Sequence, residues 1–508
     1  MQRILTVEQM RYAEKRSDEL GVSLEKLMDN AGEALARNVL KQCLKQGLHS
    51  CLILAGKGNN GGDGFVAANF LAASGVKVTV LLCCSQPGTA LSANAFSRLD
   101  KSIIVTEDTC IAFEGFEVIV DCVFGTGFHG QLSSEIKAVF QKANACSCVR
   151  VACDIPSGCN AGNGQADPDS FKADITVTFH RIKFGMLLSP ARYFCAKTVT
   201  ADIGIPQQTD SETSFSITLC DKTFASSLLP ERVPYGHKGT FGRLSAVCGS
   251  RRYIGAAKMS VHAALRTGVG LCELCTAERV IDCVCPTLPE CIFTDLPTDS
   301  DGFVTQSSSQ SIIQKTRSSQ CLLIGCGLGH TPGTEKLVAE LVQNSDCPLV
   351  IDADGINSLA ANIDVLQKKK SDVILTPHPK ELSRLCGCEL SQVISDPLGC
   401  ARQIAEKYDV TVLAKGSESF AVNKQGCIVI RSGNTALSKG GSGDVLAGIT
   451  ASLIAQGCAP INACTAASFI LGSTAEMLCE SSSPRGLLAS DIISALPAVL
   501  RILEQQSE

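Results

Sequence analysis

Apolar residues along this chain recur in two rhythms that alternate. The stretch SLEKLMDNAGEALARNVLKQCL carries its apolar positions at helical spacing, so the first forty or so residues are expected to be helical. Short solid apolar runs follow: SCLILAG, VKVTVLLC, EVIVDCVFG and CVRVACDI, each succeeded by a turn or a helical stretch. Uninterrupted apolar strands alternating with helices predict a mostly parallel sheet covered on both faces. The text then becomes polar and rich in Ser and Thr over PQQTDSETSFSITLCDKTFASS, residues 206–227, which is the best linker candidate, although SITLC fits a short strand. A second series starts near Phe241 with RLSAVCGS, a helical stretch over Ala256–Thr267, and strands in GLCELC, CLLIGCG, LVIDADG, VILTPH, VTVLAKG and CIVIRSG. Two α/β domains are therefore expected, residues 1–210 and 222–508, consistent with a length of 508 residues that exceeds what one core usually serves.

Composition narrows the function classes. Hydrophobic content of 45% with 19% charged residues describes a globular chain, and a net charge of −5 without any basic run argues against a nucleic-acid binder. The N-terminus is charged from its third residue and no apolar run is long enough to span a bilayer, so a cytoplasmic protein is expected. The 28 cysteines, scattered through apolar segments, read as reduced core residues. Cys272 and Cys275 form a C-x-x-C with Cys283 and Cys285 behind it, but LCELC continues a strand, where residues three apart face opposite sides. No structural metal is expected there.

Candidate chemistry sits at strand ends, where open α/β sheets bind ligands. In the first half, GKGNNGGDG at Gly56–Gly64 supplies glycines for close approach to a phosphate, together with Asn59, Asn60, Gly61, Gly62 and Asp63. Asp121 ends a strand before Gly125-Thr126-Gly127, and DIPSG places Asp154 and Ser157 at another strand end. Asn60, Asp121 and Ser157 carry hard oxygens suited to a group I or II cation, whereas Asp154 also fits a plain turn aspartate before Pro156. In the second half, KGGSGD at Lys439–Asp444 runs straight into a helix whose free N–H groups and dipole favour an anion. Asp444 then lies beside that anion as a candidate general base, or serves only as a helix-start carboxylate. Gly325, Gly327 and Gly329 follow one strand, Lys415 and Gly416 another, and His378 and Glu381 open a helix after a third; Glu381 is suited to ordering magnesium-bound water or to complementing the helix dipole. The paired aspartates of DADG, Asp352–Gly355, fit capping equally well.

The segments LMDNAG, AGKGNNGGDG, DCVFGTGFHG and DIPSG, in that order over roughly the first two hundred residues, resemble the NAD(P)H-hydrate epimerases, with a Rossmann-like domain. The resemblance implies that Asn59, Asn60, Gly61, Gly62 and Asp63, with Gly125, Thr126, Gly127, Phe128, His129, Gly130 and Gln131, bind the hydrated dinucleotide. It further implies that Asn60, Asp121 and Ser157 hold K+ and that Asp154 is catalytic at the reacting ring. Relatives of this fold also serve as non-catalytic modules in RNA-decapping scaffolds, but here the loop aspartate, the GTG loop and Asp154 occur together.

Over about residues 230–500, HKGTFG, CGSRRYIGAA, GCGLGH, DADGIN, TPHPKE, AKGSES and GNTALSKGGSGD resemble the NAD(P)H-hydrate dehydratases of the ribokinase-like superfamily. That likeness implies ADP as phosphoryl donor with Mg2+. Ala256, Gly327, His378 and Asp444 are expected to face the hydrate, and Lys415, Gly416, Ser417, Glu418, Ser419 and Gly443 to bind the nucleotide. The chain departs from the usual pattern at Ser442, Lys380, Cys248 and Leu471, the last standing where histidine is common. A small-molecule kinase of the thiazole or pyridoxal type is the alternative, sharing the TPHPKE and GGSGD loops but lacking the first half. A fused pair also explains itself chemically, because hydration creates two epimers and a stereospecific dehydratase consumes one. Self-association into a homo-oligomer is also expected.

Overall fold

The computed structural model describes residues 2–43, 49–212 and 215–505. It separates into two compact units, residues 3–216 and the chain from residue 217 onward.

In the first unit a helix over Val7–Glu19 is started by Thr6, whose side chain accepts from the Gln9 N–H while the Gln9 side chain returns to the Thr6 N–H. It buries Val7, Met10, Ala13 and Ser17, a three-to-four spacing that defines one face. The strands are β1 (Gln2–Leu5), β2 (Ser50–Ala55), β3 (Lys77–Leu82), β4 (Ile104–Thr106), β5 (Val118–Cys122), β6 (Val149–Cys153), β7 (Ile175–Phe179), β8 (Ile182–Lys183) and β9 (Lys197–Ala201). Seven of them form a sheet in the order β4-β3-β2-β5-β6-β7-β9, parallel at every pairing, and β1 and β8 pair in parallel outside that sheet. Strand order reverses between β2 and β5, which opens a crevice at their carboxyl ends. Register places Leu54 opposite Asp121 and Asp121 opposite Ala152, so the loops after β2, β5 and β6 emerge side by side.

The second unit contains β10 (Ser216–Leu219), β11 (Arg243–Val247), β12 (Leu271–Thr276), β13 (Ile292–Asp295), β14 (Cys321–Ile324), β15 (Leu349–Ile351), β16 (Val373–Leu375), β17 (Thr411–Ala414), β18 (Ser419–Val422) and β19 (Gly426–Ile430). Their order is β13-β12-β11-β14-β15-β16-β17-β18-β19-β10. Pairings are parallel from β13 to β17 and antiparallel through β18 and β19. The apolar runs singled out in the sequence are strands, and SITLC lies on β10, inside the stretch read as a linker. Cys272 and Cys275 both lie in β12 and are buried. The order reverses between β11 and β14, and register aligns Val247 with Ile324, Ile324 with Ile351 and Ile351 with Leu375. Cys248, Gly325, Asp352 and Thr376 therefore leave the sheet at one level.

Among the described residues no helix is long and apolar enough to cross a membrane.

Candidate active sites

A cavity of about 490 Å3 opens at the β2/β5 crevice of the first unit. Its floor comes from the loops after β2 and β5, which touch at backbone distance: a Cβ on Gly56 would lie 1.9 Å from the Val123 carbonyl oxygen, so only glycine fits. The helix begins earlier than the sequence suggested. It spans Asn59–Ala73, so Asn60, Gly61, Gly62 and Asp63 occupy its first turns rather than a loop, and no side chain caps Gly58. Gly58, Asn59 and Asn60 at that helix start line the cavity, and the unpaired N–H groups of a helix start favour an anion.

Asn59, Asn60, Asp63, Gly125, Thr126, Gly127, Phe128 and Asp154 line this cavity, whereas Gly61 and Gly62 are buried behind it. His129 and Gln131 line a neighbouring cavity with Lys57 and Phe128, and Gly130, at φ +85°, lines neither. Asn160 Nδ2 meets His129 Nδ1 at 3.1 Å.

Asp121 lies beneath the floor, fully buried. Ser157 donates its N–H to Oδ2 at 2.7 Å and its hydroxyl to Oδ1 at 2.7 Å, and the Val123 N–H donates to Oδ1 at 3.1 Å. Burial outweighs these bonds and pushes the Asp121 carboxyl up to about 6. Asn60 Nδ2 donates to the Phe124 carbonyl at 3.1 Å, and the Ser157 hydroxyl lies 3.1 Å from the same oxygen. Carboxylate, hydroxyl and carbonyl oxygens thus meet around a buried negative charge, with the Asn60 amide nitrogen on the same carbonyl and no cationic side chain paired to Asp121 among the described residues.

Asp154 is held at φ +64°, a left-handed backbone that a non-glycine residue adopts at a cost, and this turns its carboxylate into the cavity. Thr178 Oγ1 and the Phe179 N–H each donate to Oδ1 at 3.2 Å, and Lys183 Nζ donates to the same oxygen. Lys183 is wholly buried, with further bonds to Thr178 Oγ1 and the Phe179 carbonyl at 3.0 Å each. Sequence reading missed this lysine. The signal was a charged residue inside the buried run RIKFGML, which demands a partner. It also missed Glu14 on the Val7–Glu19 helix, another wall of the cavity. Burial and the neighbouring Asp154 raise both Glu14 and Asp63, with Lys183 opposing them.

In the second unit the helix Ser442–Ala455 starts from Gly441 at φ +95° without a side-chain cap. Asp444, in its first turn, stands with Cys326 and Asp352, their ligand atoms within 4.8 Å of one another. Burial and Asp352 push Asp444 up to about 6, against a hydrogen bond from Cys326 and the charge of Lys415. Lys415 Nζ donates to Asp352 Oδ1 at 2.6 Å, and Thr376 Oγ1 donates to the same oxygen at 2.6 Å. A Cβ on Gly443 would sit 3.5 Å from Lys415 Nζ, so that glycine presents bare backbone beside the ammonium. The aspartate of DADG left open by the sequence, Asp352, is central to this cluster.

His378 caps the helix Pro379–Cys386: its Nδ1 accepts from the Lys380 and Glu381 N–H groups, while Glu381 accepts from the His378 N–H at 2.9 Å. Burial pushes Glu381 upward, but the bonds from His378 and the charge of Lys415 leave it below its usual range, hence ionised. Gly327, at φ +66°, packs on the start of the helix Ile254–Arg266, where a Cβ would lie 2.6 Å from Tyr253 Cβ and 2.8 Å from Ala256 Cβ. Gly416, Ser417 and Glu418 connect β17 to β18, and Ser419 begins β18; Ser417 donates to Glu418 at 2.7 Å. Leu471 is buried in the core, packed where a histidine side chain would need hydrogen-bond partners.

Comparison with known proteins follows the same division. Residues 244–498 match the family model described as NAD(P)H-hydrate dehydratase, and residues 24–185 the model described as YjeF-related protein N-terminus. The chain is 32% identical to the bifunctional NAD(P)H-hydrate repair enzyme Nnr of Moorella thermoacetica, over 95% of this chain and 93% of that protein. It is 33% identical to the enzyme of the same description from Escherichia coli, over 95% of this chain and 91% of that one. Among solved structures, a ribokinase-like superfamily protein from Enterococcus faecalis matches 57% of this chain and 97% of its own, with a TM-score of 0.50 and 22% identity, a likeness of fold. With two family models in this order and relatives of this identity along nearly its whole length, the chain belongs to the family of bifunctional NAD(P)H-hydrate repair enzymes.

Proposed function

We propose that the first unit interconverts the R and S epimers of hydrated NADH and NADPH and that the second dehydrates the S epimer with ADP. The two activities are assigned to residues 1–210 and 222–508. In the second unit the hydroxyl of the hydrate gives its proton to Asp444, and its oxygen takes the terminal phosphoryl group of ADP, releasing AMP. Loss of phosphate from the ring, together with a proton from the adjacent ring carbon, then regenerates the dihydronicotinamide. The carrying observation is Asp444 itself, a carboxylate held near 6 beside an uncapped helix start, because a base poised near the working pH transfers protons most effectively. Lys415, fixed by Asp352, supports the developing phosphate charge next to Gly443, while Lys415–Ser419 forms the nucleotide edge. His378, Gly327 and Ala256 shape the hydrate side. Magnesium would arrive with the nucleotide and neutralise phosphate charge; Glu381, ionised and buried, is the carboxylate suited to its water shell.

In the first unit Asp154 faces the nicotinamide ring and accepts and returns a proton, with Lys183 fixing its orientation. Asn59, Asn60 and Asp63 with residues 125–128 hold the dinucleotide, and His129 and Gln131 extend its seat into the neighbouring cavity. Potassium would sit with Asn60, Asp121, Ser157 and the Phe124 carbonyl, supplying the positive charge that the buried Asp121 lacks. Asp121, Ser157 and Phe124 offer oxygens, as a hard cation requires, and Asn60 would offer its own by turning its amide over. A cytoplasmic enzyme fits this reading. Following dihydronicotinamide absorbance on an epimer mixture with ADP and Mg2+ tests both reactions together; no recovery of absorbance by the folded chain would overturn the proposal.

A further inference from the structure

Three thiols converge at a place that neither reaction uses. The helix Pro379–Cys386 ends at Gly387, whose φ of +64° turns the chain back, and the Cys388 N–H closes the turn on the Ser383 carbonyl at 3.0 Å. Cys386 and Cys388 thereby flank one tight left-handed corner. Cys400 meets them from the first turns of the neighbouring helix Pro397–Tyr408, and the three sulfurs lie within 4.8 Å of one another. Cys386 also approaches the Cys400 carbonyl, with its sulfur 3.6 Å away. No other described cysteines gather in a group of three, although the sequence contains 28. The grouping rests on a defined turn and a helix packing, and no histidine or carboxylate joins it among the described residues.

We infer that Cys386, Cys388 and Cys400 form a binding site for one soft d10 cation, Zn(II) or Cu(I), held through three thiolates. Thiolate sulfur selects these ions over hard ones. Metal–sulfur bonds of about 2.3 Å require sulfurs roughly 3.8 Å apart, so a contraction of about one ångström at most completes the site. On binding, each thiol gives its proton to water and forms one metal–sulfur bond. Cu(I) is satisfied by three sulfurs; Zn(II) takes a water as its fourth ligand. Cys400 is buried while Cys386 and Cys388 are half-buried, which leaves an entry path from solvent. Burial and the neighbouring sulfurs push the metal-free Cys386 thiol up to about 12 and Cys400 up to about 11, so protons occupy the site until a cation displaces them. The site lies at the far end of the helix that His378 caps.

The test uses the reduced, desalted full-length chain in two arms, Zn(II) and Cu(I), each in competition with a chromophoric chelator. One equivalent retained in at least one arm is expected, and the arm identifies the ion. Cys388→Ser, at a half-buried position, is expected to weaken retention at least tenfold. Cys283→Ser with Cys285→Ser, an exposed pair elsewhere, is expected to leave it unchanged. Mass spectrometry of the alkylated wild type should show Cys386, Cys388 and Cys400 protected by the retained ion; this readout stands alone if Cys388→Ser misfolds. No retention in either arm, retention lost only with Cys283 and Cys285, or metal-independent alkylation of the three cysteines would each overturn the site.

Discussion

Both units bring a carboxylate to the carboxyl ends of their parallel strands, yet they arrange positive charge around it differently. In the first, Lys183 bonds directly to Asp154, the carboxylate that faces the cavity. In the second, Lys415 bonds to Asp352, the neighbour, and Asp444 is left beside a second negative charge. A directly bonded ammonium fixes a carboxylate's direction. An ammonium one residue removed leaves the carboxylate raised to about 6 and ready to take a proton. On the proposed roles, related parallel-sheet topologies would serve two kinds of proton chemistry through the position of one lysine.

The sharpest way to break this comparison is to remove each carboxylate's charge. Asp444→Asn should lower dehydration by at least about 10²–10⁴-fold, with epimerisation unchanged, because the helix start keeps its N–H groups while the base is lost. Near-wild-type dehydration by the folded variant would end the assignment. Asp154→Asn should leave dehydration intact on the S epimer alone. On a mixture it should give a biphasic absorbance trace, whose slow phase follows spontaneous epimerisation. A single fast phase running to completion would make Asp154 structural.

Next in size is the lysine itself. Lys183→Met leaves Asp154 without its buried cation, and breaking such a pair typically costs about 3–5 kcal/mol. Thermal unfolding should therefore shift strongly downward, and epimerisation should fall with it. A variant with unchanged stability would mean that the Lys183–Asp154 bond is not formed in solution.

How far the sequence carried this picture depends on what each feature required. Apolar runs announced their strands because a parallel sheet buries both faces, and β2, β5, β6, β11, β14, β15 and β16 lie within them. The strands β4 and β18 were invisible, being only three and four residues long. Glycine loops located both sites, since close approach leaves a mark in residue type. Lys183 and Glu14 were not found, because their partners lie far away in sequence and only the fold joins them to Asp154 and Asp63. The sequence leaves Asp352 open between the site and a capping role for the same reason: Lys415 and Thr376 reach it from other strand ends.

The pH profile sharpens the comparison at lower cost. Dehydration should lose activity below about pH 6, approaching tenfold per unit, as Asp444 takes up a proton and ceases to act as base. Asp352→Asn removes the negative neighbour and frees Lys415 to act on Asp444. Both changes lower the Asp444 value, so the acid limb should move to lower pH even if the maximal rate drops. A limb that stays in place would show that Asp352 does not set the base.

The smallest effect concerns Asp121, where no lysine is supplied at all. Its folded value near 6 exceeds the ordinary carboxylate value of 3.8, so the folded state favours the protonated form. The associated stability is fully present below about pH 4 and is lost as pH rises through 6, by about 3 kcal/mol when no cation compensates. Bound potassium stabilises the ionised form and should oppose that loss, raising the unfolding temperature at pH 7.5 relative to a buffer of large organic cations. A hundredfold excess over its dissociation constant is worth about 2.7 kcal/mol. Asp121→Asn should flatten the pH dependence and abolish the potassium response together. If potassium stabilises the Asp121→Asn protein as much as the wild type, the cation sits elsewhere, and the first unit tolerates Asp121 through its three hydrogen bonds alone.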